Sequence, residues 1–240
     1  YKAFVIENND GVFHGSLKEL SIPNLDEGKV LIRVHNSSLN FKDALAASGA
    51  KGVVKSYPFV PGIDVAGQVI ESSSSNFKEG DNVIATGYKI GMSEDGGFGE
   101  VVHLPEEWIL NSPPNLSHDK AMSFGTAGIT AAACIKKFID AGITNDLPVL
   151  VSGASGGVGS IALGILSKLG FEVHAVTGKD AEIEILKNMG AAKIISRNAF
   201  MSEPIKSLDK GIYSAAVDTV GGDMLSKIIS LISNHGVVSC

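Results

Sequence analysis

The sequence predicts an α/β protein of two domains: a β-rich N-terminal domain of residues 1–113, and a C-terminal domain of residues 114–240 built on a doubly wound parallel sheet. Up to residue 113, short apolar runs are separated by Gly, Ser and Asn, whereas strand-like and helix-like segments alternate afterwards. Pro113 and Pro114 stand where the pattern changes. A chain of 240 residues with 44% hydrophobic residues can bury two cores of this size.

The N-terminal part is typical of a small antiparallel domain. Its apolar runs are bounded by turn residues such as Gly28 and the serines at 72–75. Short strands with this spacing favour a rolled sheet. We predict strands at 3–6, 29–34, 65–70, 82–85 and 99–102.

The C-terminal part alternates strands with helices, which implies right-handed parallel crossovers. We predict helices at 118–139, 158–169 and 180–189, and strands at 149–151, 171–176, 192–195, 213–217 and 236–239. The chain ends within the last of these strands, and a doubly wound sheet of two equivalent halves has one strand more. We therefore expect this domain to be incomplete at its C-terminal end.

Charge and hydropathy exclude two classes of partner. The net charge is −6 and the charged residues are interspersed, unlike the basic surface of a nucleic-acid-binding protein. No apolar run is long enough to span a bilayer, and Glu7 interrupts the N-terminal run too early for a secretory signal. We expect a cytoplasmic protein that binds neither nucleic acid nor membrane.

The sequence predicts no metal site. Its two cysteines, Cys134 and Cys240, form no CxxC pair, and its six histidines include no HExxH motif. Both cysteines are interpreted as small hydrophobic residues.

A glycine-rich loop at 152–159 lies between a predicted strand and a predicted helix, which predicts a dinucleotide site. The backbone N–H groups of Ser155, Gly156, Gly157 and Val158 would bind the pyrophosphate at the positive end of the helix. Ala154 stands where a strict GxGxxG motif has glycine. The alternative is a tight turn that binds nothing.

The end of the second strand of this domain indicates which dinucleotide binds. An NAD site places an acid there, whereas Thr177, Gly178 and Lys179 offer a hydroxyl and a cation that suit a 2′-phosphate. Arg197 is a second candidate cation, with a solvated surface arginine as the alternative. Asp180 is interpreted as a helix N-cap. We predict a preference for NADPH over NADH.

Five segments carry a resemblance that extends over the whole chain. They are Ser-Leu-Asn-Phe-Lys-Asp-Ala-Leu at 38–45, Pro-Gly-Ile-Asp-Val-Ala-Gly at 61–67, Gly-Thr-Ala-Gly-Ile-Thr-Ala at 125–131, Gly-Ala-Ser-Gly-Gly-Val-Gly at 153–159 and Asp-Thr-Val-Gly-Gly at 218–222. The chain resembles the quinone oxidoreductase branch of the medium-chain dehydrogenase/reductase superfamily, most closely the acryloyl-CoA reductases of the YhdH/AcuI type. The resemblance implies a GroES-like first domain, a Rossmann second domain, bound NADPH and a homodimer.

The resemblance also implies zinc-independent chemistry. Asn40 stands where zinc-dependent relatives have a cysteine ligand, and Ile63-Asp64 stands where they have a His-Glu pair. Without a metal to polarise an alcohol, the reaction that remains is direct hydride transfer from the nicotinamide to an electron-poor double bond or a quinone.

Asn40 and Asp43 are the candidate catalytic residues. Asn40 is predicted to be an amide donor that positions substrate or nicotinamide, and Asp43, three residues later, to take part in proton handling or orientation. The alternative is local: Asn40 as a helix N-cap, with Asp43 in the first helical turn.

Two further predictions concern the nicotinamide and the proton source of the same reaction. Thr126 and Thr130 resemble positions that face the nicotinamide, with close helix packing as the alternative. Phe41 stands where relatives often have tyrosine, so the proton source is left open between water, Tyr88 and Tyr57.

Three functions are weighed. The leading hypothesis is an NADPH-dependent reductase of a short 2-enoyl thioester such as acryloyl-CoA. The second is a broad quinone or enone oxidoreductase, and the third is a non-catalytic NADPH-binding protein.

Overall fold

The computed structural model describes residues 1–204 and 211–240. The chain divides into two compact units, Tyr1–Thr126 and Ala127–Cys240. The division falls inside a helix, beyond the Pro113-Pro114 boundary that the sequence suggested. The physical reason is that Ala121 and Met122, early in that helix, are buried against residues of the first unit.

The first unit is β-rich, as predicted. A five-stranded antiparallel sheet has the order β6-β3-β4-β5-β7, and β1 and β2 form a separate hairpin. The strands are β1 (Lys2–Asn9), β2 (Val12–Glu19), β3 (Lys29–Asn36), β4 (Asp64–Ser72), β5 (Asn82–Thr86), β6 (Val101–Pro105) and β7 (Ile109–Asn111). One short helix, α1 (Phe41–Ala47), follows β3.

The core of the first unit lies on one face of the two central strands. Val30 and Ile32 of β3 and Val65 of β4 are fully buried and pack together with apolar side chains of β5 and β6. Alternate residues of a strand lie on the same face of a sheet, so Val30 and Ile32 share the face that covers this core. The first residue of β4 is Asp64, a charged residue that is fully buried.

The long helix α2 (His118–Asp140) is broken at one position. Gly125 has φ 47° and ψ −147°, a backbone conformation that only glycine adopts readily. This break explains why glycine stands inside a segment whose periodicity predicts a continuous helix.

The second unit is a Rossmann-type α/β domain. Its parallel sheet has the order β10-β9-β8-β11-β12, which is 3-2-1-4-5 when the strands are numbered within the unit. The strands are β8 (Val149–Ser152), β9 (Val173–Thr177), β10 (Lys193–Ser196), β11 (Tyr213–Val217) and β12 (Ile232–Ser239). The helices are α3 (Gly157–Lys168), α4 (Ile183–Asn188), α5 (Arg197–Ser202) and α6 (Gly222–Leu231). The fold class predicted from the sequence is confirmed.

The strand order defines where this unit can hold a ligand. The chain crosses from one side of β8 to the other between β10 and β11, so the loops after β8 and β11 diverge at the carboxyl ends of these strands. Ligands of open α/β sheets bind in the crevice at such a switch point. Throughout residues 1–204 and 211–240, none of the helices has the length and apolarity required to cross a membrane.

Two glycines of α3 provide a matched test of packing. An added Cβ at Gly159 would lie 2.9 Å from Ala154 Cα and still closer to the Gly153 carbonyl, so Gly159→Ala would push the helix away from the turn. At Gly164 the nearest atom is Met189 Cε at 3.8 Å. We expect Gly159→Ala to lower the free energy of unfolding by more than about 2 kcal/mol, and Gly164→Ala to raise it by about 0.5–1 kcal/mol.

Urea unfolding of both variants measures this difference. Equal effects of the two substitutions would show that the close approach of α3 to the glycine turn is not a constraint on the fold.

Candidate active site

A cavity of about 340 Å³ lies at the switch point of the second unit. It is lined by Gly153, Ser155, Gly156, Val176, Thr177, Gly178, Lys179, Arg197, Thr219, Val220 and Met224. These residues come from the carboxyl ends of β8, β9 and β11 and from the starts of α5 and α6. Six of the ten residues predicted to bind cofactor are among them: Ser155, Gly156, Thr177, Gly178, Lys179 and Arg197.

The glycine turn forms the floor of this cavity. Gly153 has φ 58°, and a side chain there would collide with the Thr219 hydroxyl. Gly156 is the N-cap of the twelve-residue helix α3, and a Cβ at this position would meet only the Gly153 carbonyl oxygen, at 3.2 Å. The Gly156 N–H, which we predicted to bind pyrophosphate, donates instead to the Gly153 carbonyl at 2.8 Å. The first N–H groups of a helix have no partner within the helix, and with no side chain above them they are suited to bind phosphate.

The loop after β11 is fixed against β8 by a buried carboxylate. Ser152 donates to Asp218, whose carboxylate also accepts the backbone N–H groups of Val220 and Gly221 at 3.1 and 2.9 Å. Thr219 in turn donates its backbone N–H to the Ser152 hydroxyl at 3.1 Å. These bonds hold Thr219 and Val220 at the cavity wall. They give a structural reason for the aspartate that begins the Asp-Thr-Val-Gly-Gly segment.

The outer edge of the cavity is cationic. Lys179 and Arg197 are both exposed, and the Arg197 side chain lies 3.5 Å from where a Cβ of Gly178 would be. The Thr177 hydroxyl contacts that of Ser155 at 3.1 Å and accepts the backbone N–H of Lys179 at 3.1 Å. No carboxylate belongs to the residues that line this cavity in the described chain.

Four predicted residues lie elsewhere, and one predicted cap is wrong. Gly157 and Val158 begin α3 but do not line the cavity; Val158 packs against the core of the unit. Thr130 is exposed on α2 and does not line it either, and Thr126 is described with Asp64 below. Asp180 begins a 3-10 turn, Asp180–Glu182, whose N-cap is Lys179, and Glu182 is the N-cap of α4.

A second polar cluster lies in the first unit, around Asp64. This carboxylate is fully buried at the start of β4, yet it accepts four hydrogen bonds. Thr126 donates its backbone N–H at 2.9 Å and its hydroxyl at 2.6 Å, the Asn40 amide donates at 2.8 Å, and the Ser38 hydroxyl donates as well. We call Ser38, Asn40, Asp64 and Thr126 the Asp64 cluster.

Sequence reasoning did not select Asp64 as a site residue. It named the residue only as the place where zinc-dependent relatives have glutamate. The sequence does contain one signal for this site. An acidic residue stands directly before the apolar run of β4, and a carboxylate that is buried there needs hydrogen-bond partners. Among the residues the structure describes, no three His, Cys, Asp or Glu side chains are grouped so as to hold a metal ion.

The Asn40 amide is a hydrogen-bond donor within the Asp64 cluster. Its Nδ2 group donates to Ser38 Oγ at 3.1 Å and to Asp64 Oδ2 at 2.8 Å. The amide nitrogen that we predicted to position substrate or nicotinamide is therefore directed at Ser38 and Asp64. Asn40 is also the N-cap residue of α1, so the local interpretation describes its backbone correctly.

Asp43 is a buried anchor of the backbone, 2% exposed. Its carboxylate accepts the backbone N–H groups of Asn40 at 2.7 Å, Gly62 at 3.1 Å and Ile63 at 2.9 Å. Burial raises the pKa of Asp43 above its ordinary value, with a further contribution from the charge of Asp64, while the three N–H groups act in the opposite direction. Asp43 thus positions Asn40 and the segment before Asp64 rather than presenting a carboxylate to a ligand.

The break in α2 makes room for the Asp64 cluster. A Cβ at Gly125 would lie 2.5 Å from Asp64 Oδ2 and 2.7 Å from Ser38 Oγ. Only glycine lets the helix backbone come this close, and the next residue, Thr126, then donates to Asp64 twice. The structure places Thr126 in this cluster and not in the lining of the nucleotide cavity.

Neither Tyr57 nor Phe41 is suited to supply the proton of the predicted reduction. The Tyr57 hydroxyl donates to the Ala46 carbonyl at 2.9 Å, and burial raises the pKa of Tyr57 above its ordinary value. Phe41, the first residue of α1, is 80% exposed and carries no titratable group. Of the two tyrosines considered from the sequence, Tyr88 is the exposed one.

The fold and these two sites define an oxidoreductase with a GroES-like first unit and a nucleotide-binding second unit. Two family descriptions match the chain: "Alcohol dehydrogenase GroES-like domain" over residues 26–114 and "Zinc-binding dehydrogenase" over residues 157–240. The chain belongs to the medium-chain dehydrogenase/reductase superfamily, with similarity to both acrylyl-CoA reductases and quinone oxidoreductases.

Three relatives illustrate this similarity. The Escherichia coli acrylyl-CoA reductase AcuI is 39% identical over 99% of this chain and 73% of its own length. Bacillus subtilis YhfP, named as a quinone oxidoreductase, is 40% identical over 100% of this chain and 73% of its own; its structure with NAD bound has a TM-score of 0.93. The Salmonella enterica YhdH oxidoreductase, solved with NADP, is 40% identical with a TM-score of 0.93, over 99% of this chain and 73% of that one.

The Asp64 cluster can be tested by one isosteric change. In Asp64→Asn, an amide group would face the N–H and O–H donors of the cluster, leaving buried polar groups unpaired. We expect a loss of about 2–3 kcal/mol in the free energy of unfolding, measured by urea denaturation.

Asp10→Asn is the control because it also removes one carboxylate. Asp10 is exposed and has φ 52°, a conformation that asparagine tolerates. A loss no larger in Asp64→Asn than in Asp10→Asn would contradict the central role of Asp64.

Proposed function

We propose that this protein is an NADPH-dependent reductase that reduces the activated C=C bond of a short 2-enoyl thioester such as acryloyl-CoA. The observation that carries the proposal is the cavity at the switch point of the second unit, with a glycine turn on one side and a cationic edge without carboxylates on the other. The similarity to acrylyl-CoA reductases supports this substrate class.

The residues of the cavity fit NADPH. The N-terminus of α3 and the turn before it would bind the pyrophosphate, since Gly156 leaves the backbone N–H groups uncovered. Thr177, Lys179 and Arg197 would bind the 2′-phosphate through a hydroxyl and two cations. When bound, NADPH supplies a hydride. One relative was solved with NADP and another with NAD, so the preference of this protein for one cofactor is tested below by kinetics.

The Asp64 cluster would orient the substrate side of the reaction. Asn40 would be a positioning residue on this side, because its Nδ2 group is held by Ser38 and Asp64. Asp43 accepts the backbone N–H of Asn40, so the residue is held at its backbone and at its side chain. Preorganised polar groups of this kind lower the cost of positioning reactants.

The proton for the reduced carbon has two remaining sources. Tyr57 is engaged with a carbonyl, Asp43 is enclosed by backbone N–H groups, and Phe41 has no proton to give. Solvent water and the exposed Tyr88 hydroxyl remain. A solvent isotope effect that survives in Tyr88→Phe assigns the proton to water.

A second candidate function is reduction of quinones or enones. The relative YhfP is named as a quinone oxidoreductase, and the first unit carries an aromatic stack formed by Tyr88 and Trp108. The same hydride chemistry serves both substrate classes, so the substrate-binding residues must distinguish them.

The cofactor preference is tested at the cationic edge. We expect Lys179→Ala to raise the KM for NADPH about tenfold or more, as for loss of a charged hydrogen bond of about 1.5–3 kcal/mol, and to change the KM for NADH by less than about twofold. Arg197→Ala should act in the same direction. Steady-state kinetics with both cofactors measures the effect.

Lys187→Ala is the control, since Lys187 is an exposed lysine of α4 that pairs with Glu184 away from the cavity. An unchanged KM for NADPH in Lys179→Ala, or equal turnover with both cofactors in the unmutated protein, would remove the assignment of this edge to the 2′-phosphate.

The substrate class is tested by stopped-flow oxidation of NADPH with acryloyl-CoA, crotonyl-CoA and a quinone compared side by side. We expect the highest kcat/KM with acryloyl-CoA. A kcat/KM for simple quinones equal to or above that for acryloyl-CoA would favour the second candidate function. Tight NADPH binding without oxidation by any of the three would favour a non-catalytic protein.

A further inference from the structure

Tyr88 and Trp108 form an ordered aromatic stack on the first unit. Their ring centroids are 5.4 Å apart and the rings are within 6° of parallel. Trp108 is half-buried and packs against the core of the sheet, whereas Tyr88 is 61% exposed. Because Trp108 covers one face of the Tyr88 ring, the exposed surface is mainly the opposite face.

The backbone of Tyr88 is held in an uncommon conformation. Its φ is 48°, in the left-handed region, and it follows Gly87 with φ 76°. A bulky residue there costs about 1–2 kcal/mol, and an exposed aromatic ring buries little surface in return. Stacking on Trp108 offsets about 0.5–1.5 kcal/mol. Stability alone therefore gives little reason for tyrosine at this turn.

The stack adjoins the Asp64 cluster through the strand ladder. Thr86, the last residue of β5, is paired with Asp64 in the antiparallel register. The next residue, Gly87, donates its backbone N–H to the Ile63 carbonyl at 2.9 Å. Tyr88 follows directly, so its backbone lies two residues from the pair that Thr86 forms with Asp64.

We propose that Tyr88, supported by Trp108, is a specificity-determining residue that binds the planar conjugated ring of aromatic substrates, namely quinones and aryl enones. An electron-poor ring stacks favourably on the electron-rich face of a tyrosine that is itself fixed by a second ring. An acryloyl or crotonyl group has no ring to stack. Tyr88 thus raises the affinity for aromatic substrates and leaves the affinity for acryloyl and crotonyl thioesters unchanged.

This inference deepens the proposed function and rests on it for its kinetic test. Duroquinone is a suitable probe, because its ring is fully substituted and does not add to the thiols of Cys134 or Cys240. We expect Tyr88→Leu to raise the KM for duroquinone about three- to tenfold, as for loss of an aromatic stack of 0.5–1.5 kcal/mol, with less than about a twofold change in the KM for acryloyl-CoA. Tyr88→Phe keeps the ring and should retain the KM of the unmutated protein for both.

A binding measurement separates this inference from the proposed function. Ligand-observed saturation-transfer NMR with duroquinone and no nucleotide requires no catalysis, and should give a saturable signal with the unmutated protein and Tyr88→Phe that is reduced at least threefold in Tyr88→Leu. An unchanged signal and KM in Tyr88→Leu overturns the inference, as does an equal rise of both KM values. If no substrate is reduced but the NMR difference persists, the reductase assignment fails and the ring-binding role stands.

Discussion

The buried carboxylate of Asp64 is the constraint on which the first site depends. A charge removed from water must be fully paired, and four donors from Ser38, Asn40 and Thr126 do so. The donors come from two stretches of chain, Ser38 and Asn40 before α1 and Thr126 within α2, so satisfying one carboxylate fixes the approach of α1 and the break in α2. The requirement for glycine at 125 follows, because any side chain would displace the donors.

The second site is shaped by backbone as well as by side chains. The glycine turn after β8 has no side chain that would cover its backbone, and Gly159 lets α3 pack against that turn. The buried carboxylate of Asp218 fixes the facing loop through Ser152, Val220 and Gly221. In both units, therefore, buried acids organise the loops of a site.

Several elements escaped prediction for identifiable reasons. Strand β2 has mostly exposed side chains and therefore lacks the apolar run by which strands were selected, although Asp10-Gly11 before it is a hairpin signal. The spacing of Asn40 and Asp43 predicts one helical face, but not that Asp43 binds the backbone of Gly62 and Ile63. An asparagine in a sequence does not reveal which side of its amide is already engaged.

The sequence by itself determined the two-domain α/β fold, the glycine turn and the cationic edge formed by Thr177, Gly178 and Lys179, because each is encoded in neighbouring residues. Only the tertiary structure decided that Arg197 joins this edge, that Asp64 gathers its donors, and that the Asn40 amide nitrogen is directed at Asp64. These facts depend on residues far apart in the chain, and hydrogen-bond partners at that separation are fixed by packing rather than by local pattern.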